Sequence, residues 1–291
     1  MNGGAGCMLC GAADFDETPY FYQYKGSKIA IVRCRSCGLG TLEPMLPEKD
    51  IRSLYSAEYF EGDYHCGVGC RPYREEVEKL KREAQPLLSM IQRYRPRGRY
   101  LEIGCAGGAM LWEAHKRGFD TVGVELSSEM AEWGRKNLQL DIREGAVEEQ
   151  NFPVNYFDVV FLGDVIEHLW NPKTVLEQVY RILAPEGIVA LAYPMELNSL
   201  VPRIRNAFHL RKQSPRKPYH LFYYTTRTMR SLLERCGFQV VLEKEEKLLR
   251  GQPMITRLSD VANATLTQLS GRFGDRGFTI ARVRKQEGAP R

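Results

Sequence analysis

The sequence lacks a long uninterrupted apolar run, and its first ten residues have neither a positively charged start nor an apolar core. A membrane-spanning helix needs about 20 apolar residues, and a secretory signal needs both of the missing features. We therefore expect no membrane span, and we expect the chain to work in the cytoplasm.

The sequence also lacks a strong excess of one charge, a repeat and a low-complexity tract. It has 41 Lys and Arg against 36 Asp and Glu, a formal net charge of +5. This balance permits an acidic or phosphorylated substrate, but it is too small to indicate a nucleic-acid partner by itself. The 43% hydrophobic composition is ordinary for a soluble globular protein.

Cysteine is present and patterned. Four of the eight cysteines form two C-x-x-C pairs, each followed by glycine. In a reducing compartment such pairs indicate metal ligands rather than the alternative, disulfides. We predict a structural Zn(II) site with no open coordination position, held by Cys7, Cys10, Cys34 and Cys37. The segment with His65, Cys66 and Cys70 is either a flexible loop or a second metal site.

From residue 99 onward, short apolar segments alternate with amphipathic ones, which predicts βαβ units and an α/β fold with a parallel sheet. The predicted domains are a zinc ribbon over 1–42, a linker and helical lid segment over 43–98, and a catalytic domain over 99–291. The helix predicted over 71–94 breaks near Pro86, because proline removes a helical hydrogen bond. The predicted strands cover residues 99–104, 120–126, 157–163, 187–194, 239–246 and 278–285. Among the predicted helices, the last covers residues 260–269.

A glycine-containing loop, LEIGCAGG over residues 101–108, joins the first of these strands to a helix. Its spacing does not fit the G-x-G-x-x-G loop of dinucleotide-binding proteins. Glu102 lies two residues before the first glycine, where its carboxylate is placed to hold a ligand amino group. Glu125 follows Gly104 by 21 residues, at the end of the next strand, where it is placed to accept hydrogen bonds from ribose hydroxyls. The alternative is a tight turn with a surface glutamate.

The segments LEIGCAGG, VGVEL, FDVVFLGDVIEHL and YRILAPEGIVALAYP resemble motifs of class I S-adenosylmethionine-dependent methyltransferases, closest to the ubiquinone-biosynthesis O-methyltransferase type. The resemblance implies a Rossmann-like seven-stranded methyltransferase sheet with helices on both faces, and S-adenosylmethionine as cofactor. It departs from the family at Ala106, where Gly is usual, and at Ala146, where an acid often faces the adenine. The cofactor-binding residues that we predict are Glu102, Gly104, Ala106, Gly108, Glu125, Leu126, Ala146, Val147 and Gly163.

Catalytic candidates follow from where ligands bind in such sheets, which is at the carboxyl ends of the strands. Gly163 is followed there by Asp164, Glu167 and His168. A neutral histidine is suited to remove the acceptor's proton near pH 7, so His168 and His220 are the candidate bases, with Asp164 beside them. The alternative for each histidine is a structural role, in which the ring is packed and makes hydrogen bonds. The ubiquinone-type enzymes have a divalent-metal site here, and the resemblance therefore also implies Mg(II) at Asp164, Glu167 and His168.

An insertion over about 194–220 contains six cations and one acid, Glu196. We predict that it caps the acceptor pocket and favours an anionic acceptor, the alternative being a solvated loop. The cations are Arg203, Arg205, Arg211, Lys212, Arg216 and Lys217. The order of cysteine pairs and LYSAEYF also resembles zinc-ribbon methyltransferases of bacterial natural-product and cell-surface glycan pathways. That resemblance implies a lid at Tyr55, Tyr59 and Phe60, with ordinary packing as the alternative.

The predicted function is methyl transfer from S-adenosylmethionine to a small-molecule acceptor, such as a natural product, a sugar or a quinone-like molecule, at oxygen or carbon. An RNA methyltransferase, in which the ribbon and the basic insertion position nucleic acid, is the alternative. A binding protein without catalysis is disfavoured by the intact loop and both acids. The sequence leaves the acceptor atom, the identity of the base and the oligomeric state open.

Overall fold

The structure, a computed structural model, describes residues 6–54, 60, 72–198, 212–214, 217–246 and 276–284. Two sheets organise these residues, one of five strands near the N-terminus and one of seven strands. No helix within these ranges is long and apolar enough to cross a membrane.

The N-terminal sheet starts with three antiparallel strands, β1 (Phe15–Tyr24), β2 (Ser27–Cys34) and β3 (Gly40–Glu43). Lys25 and Gly26 join β1 to β2, and both have positive φ. Two positive φ values in a two-residue loop match the twist of the flanking strands. The short helix α1 (Glu48–Arg52) and the long helix α2 (Tyr73–Gln92) follow.

Helix α2 runs without interruption through Pro86, so the predicted break there is wrong. Pro86 is exposed, whereas Ala84, Leu88 and Ile91 on the other face are buried. Arg82, whose carbonyl loses its usual helical partner because Pro86 has no amide hydrogen, is also an exposed residue. Burial of the opposite face therefore keeps the helix continuous despite the missing hydrogen bond.

The larger sheet begins with five parallel strands, and an α-helix follows three of them. In chain order they are β4 (Gly98–Ile103), α3 (Ala109–Lys116), β5 (Phe119–Glu125), α4 (Ser128–Leu138), β6 (Ile142–Glu144), β7 (Phe157–Gly163), α5 (Pro172–Ile182) and β8 (Leu183–Pro194). Strand β4 lies between β5 and β7, so the order of the strands reverses on either side of it. Ligands bind at such a reversal point, outside the carboxyl ends of the strands.

One strand within the predicted insertion and one just after it join the N-terminal sheet. Strand β9 (Lys212–Gln213) pairs in parallel with β1, and β10 (Phe222–Tyr223) pairs antiparallel with β3. Arg203, Arg205, Arg211 and Arg216 lie outside the described residues, as do Tyr55, Tyr59, His65, Cys66, Cys70 and the helix predicted over 260–269. The insertion's role as a cap stays a prediction.

Helix α6 (Thr226–Arg235) and the strands β11 (Phe238–Glu246) and β12 (Arg276–Val283) complete the larger sheet, in the order β11-β12-β8-β7-β4-β5-β6. Strand β12 is antiparallel to both of its neighbours. Residues of α2, α3 and α4 pack on one face of this sheet, and residues of α5 and α6 pack on the other. The predicted α/β fold with seven strands and helices on both faces is confirmed.

Candidate active site

The loop after β4 requires glycine at two of its positions. Gly104 and Gly108 have φ values of 68° and 84°, in the left-handed region that L-residues with a Cβ avoid. A Cβ at Gly104 would lie 2.5 Å from Val165 Cγ2. The loop therefore keeps its backbone close to the end of β7, where the catalytic candidates begin.

Glu125, at the end of β5, holds this loop from the side. Its Oε2 accepts a hydrogen bond from the Ala106 amide at 2.8 Å, and its Oε1 accepts one from the Ser127 amide at 2.9 Å. Burial raises the pKa of the Glu125 carboxyl, although both amides favour its charged form. Each carboxylate oxygen has a further lone pair, so the predicted contact with ribose hydroxyls remains compatible with this arrangement.

Glu102 is the second buried acid of the cleft, with 6% of its surface exposed. Its Oε2 has no hydrogen-bond partner within the described residues. Burial and the nearby charge of Glu125 raise the pKa of Glu102 well above its ordinary value. A buried carboxylate oxygen without a partner is costly, and an ammonium group would satisfy it. The two acids thus fit the ammonium and the ribose of S-adenosylmethionine.

Two aromatic residues that sequence reasoning missed close over the loop. The Tyr73 hydroxyl, from α2, accepts a hydrogen bond from the Ala109 amide at 3.0 Å. The Trp133 ring, from α4, meets the Tyr73 ring edge-on, with centroids 6.0 Å apart. Both rings lie so close to Gly107 that a Cβ there would clash with them. Phe60, predicted as part of a lid, is buried in the same cluster as Tyr73.

The remaining predicted cofactor-binding residues, Leu126, Ala146, Val147 and Gly163, lie at or just after the ends of strands. Leu126 comes directly after Glu125 and is half-exposed, whereas Val147 is buried. The Gly145 amide donates to the Glu125 carbonyl at 2.9 Å, and the Ala146 amide donates to Glu149 Oε2 at 3.1 Å. Leu126 and Ala146 are therefore brought to the same edge of the sheet. Gly163 lies at the end of β7.

His168 and His220 are 52 residues apart in the chain and come together in the structure, with ring centroids 4.8 Å apart. His168 Nδ1 donates to the Tyr219 carbonyl at 2.9 Å. His220 Nδ1 lies 3.2 Å from Glu196 Oε2. Because a carbonyl and a carboxylate only accept hydrogen bonds, both contacts indicate a proton on Nδ1 of each ring. Burial, reinforced by the charge of His220, lowers the pKa of His168 to about 3.

Asp164 points to a different partner. Its Oδ2 accepts a hydrogen bond from Arg276 at 2.9 Å, and its φ of 54° lies in the left-handed region. The side chains whose possible ligand atoms come together here are Glu167, His168 and His220, and Asp164 is not among them. The Mg(II) site at Asp164, Glu167 and His168, which the resemblance implied, therefore does not fit this arrangement.

Glu167 is the most deeply buried acid of this corner, with 1% of its surface exposed. Neither of its carboxylate oxygens has a hydrogen-bond partner within the described ranges. Burial raises the pKa of Glu167 to about 8, even though the charge of His220 acts in the opposite direction. Sequence reasoning named Glu167 only as part of the Mg(II) set and missed that it faces His220.

A family model described as a methyltransferase domain matches residues 73–243, more than half of the chain. The chain belongs to the methyltransferase domain family. The match begins at α2 and ends within β11, so it contains the glycine loop, both cleft acids and both histidines. The predicted recognition of a class I S-adenosylmethionine-dependent methyltransferase is confirmed.

Individual relatives of this methyltransferase domain are distant. A ubiquinone biosynthesis O-methyltransferase of Psychrobacter cryohalolentis is 26% identical over 100 residues, which cover 32% of this chain and 39% of that protein. A glycine/sarcosine/dimethylglycine N-methyltransferase of Actinopolyspora halophila is 25% identical over 204 residues, 64% of this chain and 36% of that protein. The chain thus spans well under half the length of these two curated relatives.

A solved structure shows the same fold. The crystal structure of an S-adenosylmethionine-dependent methyltransferase from Archaeoglobus fulgidus aligns with a TM-score of 0.52 and 20% identity. The alignment covers 72% of this chain and 99% of that one. At this level of identity the likeness concerns the fold alone.

The four cysteines of the two pairs converge outside the methyltransferase domain. All four sulfur atoms lie within 4.8 Å of one another, and the distances from Cys7 to Cys37 and from Cys10 to Cys34 are 3.5 Å. Zn–S bonds of about 2.3 Å in a tetrahedron place sulfur atoms about 3.8 Å apart, so this donor set fits Zn(II). Backbone amides near Cys34, together with the Cys10 thiol, outweigh burial and lower the pKa of Cys34 to about 7.

The N-terminal sheet also holds the segment that carries His220. Thr41 Oγ1 donates to the Leu221 carbonyl at 3.2 Å, and the hydroxyls of Tyr22 and Tyr223 lie 2.7 Å apart. On the opposite side, the Leu221 amide donates to the Glu167 carbonyl at 2.8 Å. Residues 219–224 therefore lie between the cysteine-bearing sheet and the Glu167–His168 turn of the methyltransferase domain.

Proposed function

We propose that this chain transfers the methyl group of S-adenosylmethionine to a small-molecule acceptor. The observation that carries the proposal is the pair of buried acids beside the glycine loop. Glu102 has the chemistry to hold the ammonium group, and Glu125 has the chemistry to hold the ribose. The relatives named above are a ubiquinone biosynthesis O-methyltransferase and a glycine/sarcosine/dimethylglycine N-methyltransferase, which supports a small acceptor rather than RNA.

The glycine loop and the turn that carries His168 follow the carboxyl ends of neighbouring strands, β4 and β7, and His220 packs against His168. A cofactor in the loop would therefore present its methyl group towards His168 and His220. Methyl transfer is an in-line displacement: the acceptor atom forms a bond to carbon as the bond from carbon to sulfur breaks, and the sulfonium becomes a neutral thioether. The protein must orient the acceptor and allow it to lose its proton.

We place the acceptor against the His168–His220 pair, and we propose that its proton is lost there. His220 is the more exposed of the two rings and is oriented by Glu196. The sequence suggested a catalytic role for Asp164. We instead assign it the role of holding Arg276 at the edge of the cleft. An anionic acceptor remains our preferred class, since the insertion is rich in cations, of which Lys212 and Lys217 lie in the described part of the chain.

The test starts with the cofactor alone. Calorimetry should detect S-adenosylmethionine binding to the purified chain. Release of S-adenosylhomocysteine is then measured with a panel of catechols, carboxylated aromatics, sugar nucleotides, glycine derivatives and short RNA. Turnover with a small molecule, and its loss in His220→Asn, would support the proposal. Absence of cofactor binding would overturn the proposal. Turnover with RNA alone would mean that the acceptor is RNA and not a small molecule.

A further inference from the structure

We propose that Arg276 binds a carboxylate group of the methyl acceptor and so favours acceptors that carry a single negative charge. The inference rests on the proposed function, because it names the chemical class of the acceptor and the side chain that selects it. Sequence reasoning missed Arg276, which is the first residue of the last strand, β12.

Arg276 lies at the edge of the sheet where ligands bind. It pairs in register with Pro194, the last residue of β8. Strand β8 separates β12 from β7, and two spacings between neighbouring strands amount to about 10 Å. The Arg276 side chain reaches towards β7 across β8, because its Nη2 donates to Oδ2 of Asp164, the residue after β7, at 2.9 Å. The guanidinium is therefore close to the carboxyl ends of β7 and β8, on the side of the cleft where we place the acceptor.

The turn that binds Arg276 also adjoins the glycine loop. Asp164 precedes Val165, and a Cβ at Gly104 would lie 2.5 Å from Val165 Cγ2. The Asp164 amide donates to the Ala192 carbonyl at 2.8 Å, which fixes this turn to the end of β8. In the proposed function the glycine loop holds S-adenosylmethionine. A molecule bound to Arg276 would therefore be near the methyl donor.

The Arg276 guanidinium has unused hydrogen-bond donors. A guanidinium carries several N–H donors, and the bond to Asp164 is the only hydrogen bond that Arg276 makes within the described ranges. Its Nε is buried and has no partner there. Buried donors nearly always have a partner, and a carboxylate oxygen would supply one. Because 19% of the side chain is exposed, a ligand can reach the guanidinium from the cleft.

Asp164 holds the arginine from a strained backbone conformation. Its φ of 54° lies in the left-handed region, which residues with a Cβ seldom adopt. Strain of this kind persists only where the surrounding structure enforces it, and it is concentrated at ligand-binding and active sites. The ion pair with Arg276 thus comes from a fixed turn and not from a loose surface contact.

The acids near Arg276 favour a carboxylate over a phosphate. Asp164 balances the charge of Arg276, and both Asp164 and Glu196 are close enough to Glu167 to act on its charge. A dianion such as phosphate would meet stronger repulsion from these acids than a monoanion would. A planar carboxylate also matches the planar fork of a guanidinium, with which it forms parallel hydrogen bonds.

Carboxylic acids and their methyl esters test the proposal, because each pair differs in the charged group alone. The probes are protocatechuate and sarcosine, each compared with its methyl ester, and inorganic phosphate. Calorimetry on protein loaded with S-adenosylhomocysteine measures their affinities. We expect at least one acid to bind more tightly than its ester and more tightly than phosphate. Equal affinity of acid and ester in both pairs would overturn the proposal, as would a preference for phosphate.

Variants assign the preference to Arg276. Arg276→Met keeps the length of the side chain and removes its donors, so the affinity for the acid should fall about 10–100-fold while that for the ester stays unchanged. Arg276→Lys keeps the charge without the fork and should lose less. Arg282→Met, a change at an exposed residue of the same strand, is the matched control and should keep the preference. An equal loss for acid and ester in Arg276→Met would mean that Arg276 only supports the fold, and would overturn the assignment.

Cofactor calorimetry on the same variants separates this inference from the proposed function. Arg276→Met should bind S-adenosylmethionine as the original protein does. A loss of cofactor affinity in this variant would mean that Arg276 binds the cofactor's own carboxylate, and would overturn the inference. If acids and esters bind equally while methyl transfer persists, the inference is wrong and the proposed function stands. If the original protein does not bind S-adenosylmethionine, the proposed function itself fails.

Discussion

The backbone amide of Ala106 donates a 2.8 Å hydrogen bond to Glu125 Oε2 and so ties the loop after the first strand of the methyltransferase domain to the end of the second. The Glu125 carboxylate thus holds the glycine loop in place, and in the function that we propose it also binds the ribose of the cofactor. A change at Glu125 is therefore expected to affect both the loop and cofactor binding.

We predict that Glu125→Ala weakens S-adenosylmethionine binding by about 1.5–3 kcal/mol, the range for loss of a hydrogen bond to a charged group. Glu125→Gln should lose less, since its amide oxygen can still accept from Ala106. Isothermal titration calorimetry measures both. Glu132→Ala, at an exposed residue paired with Lys136 on α4, is the control. Equal affinity in Glu125→Ala and the control would contradict the assignment.

Ala106 itself carries backbone strain. Its φ of 48° lies in the left-handed region, which costs a residue with a Cβ roughly 1–2 kcal/mol. By size alone, alanine in place of the usual glycine is a mild change, because a methyl group is small. The structure gives a different reason to single out this position, which is the dihedral angle and not the space.

We predict that Ala106→Gly raises the free energy of unfolding by about 1 kcal/mol, because glycine adopts this φ without strain. Denaturant unfolding measures the change. Ala131→Gly is the comparison, since Ala131 lies inside α4 and glycine should destabilise a helix interior there. Lower stability in Ala106→Gly would show that the loop is held in another conformation.

Long patterned segments were predictable from the sequence, and single contacts between distant residues were not. Amphipathic periodicity predicted α5 and the apolar strands, and the spacing of the cysteine pairs predicted their cluster. Strand β6 was missed because its three residues, Ile-Arg-Glu, are too few to show a period. The contact between His168 and His220 crosses an insertion, and that between Asp164 and Arg276 crosses 112 residues, so no local pattern encodes either.

Pro86 illustrates tertiary packing overriding a local preference. We predict that Pro86→Ala stabilises the protein by about 1–3 kcal/mol, because it restores an amide donor on the exposed face of α2. Chemical denaturation monitored by circular dichroism is the measurement. Pro172→Ala is the control, because Pro172 is at the first position of α5, where proline is compatible with a helix. Similar effects at both positions would mean that Pro86 does not lower the stability of the protein.

The link between the cysteine cluster and the acceptor site gives the last prediction. Cys34 ends β2, β2 pairs with β3, and β3 pairs with β10, two residues beyond His220. Zinc held by the cysteines would fix this sheet, and the sheet fixes residues 219–224. None of the contacts just described involves Glu102 or Glu125. Loss of the zinc should therefore affect the acceptor site and the cofactor site differently.

We predict that replacing Cys34 and Cys37 with serine leaves S-adenosylmethionine affinity within about twofold, because affinities of distant, independent sites are nearly additive. Methyl transfer should fall sharply, since His220 loses its support. Hydrogen exchange at residues 219–224 should accelerate relative to residues 101–108, which reports the cause independently of turnover. Cys236→Ser, a change at a buried thiol outside the cluster, is the control. Faster exchange at both segments, together with lost cofactor binding, would mean that the N-terminal sheet supports the whole fold instead of the acceptor half.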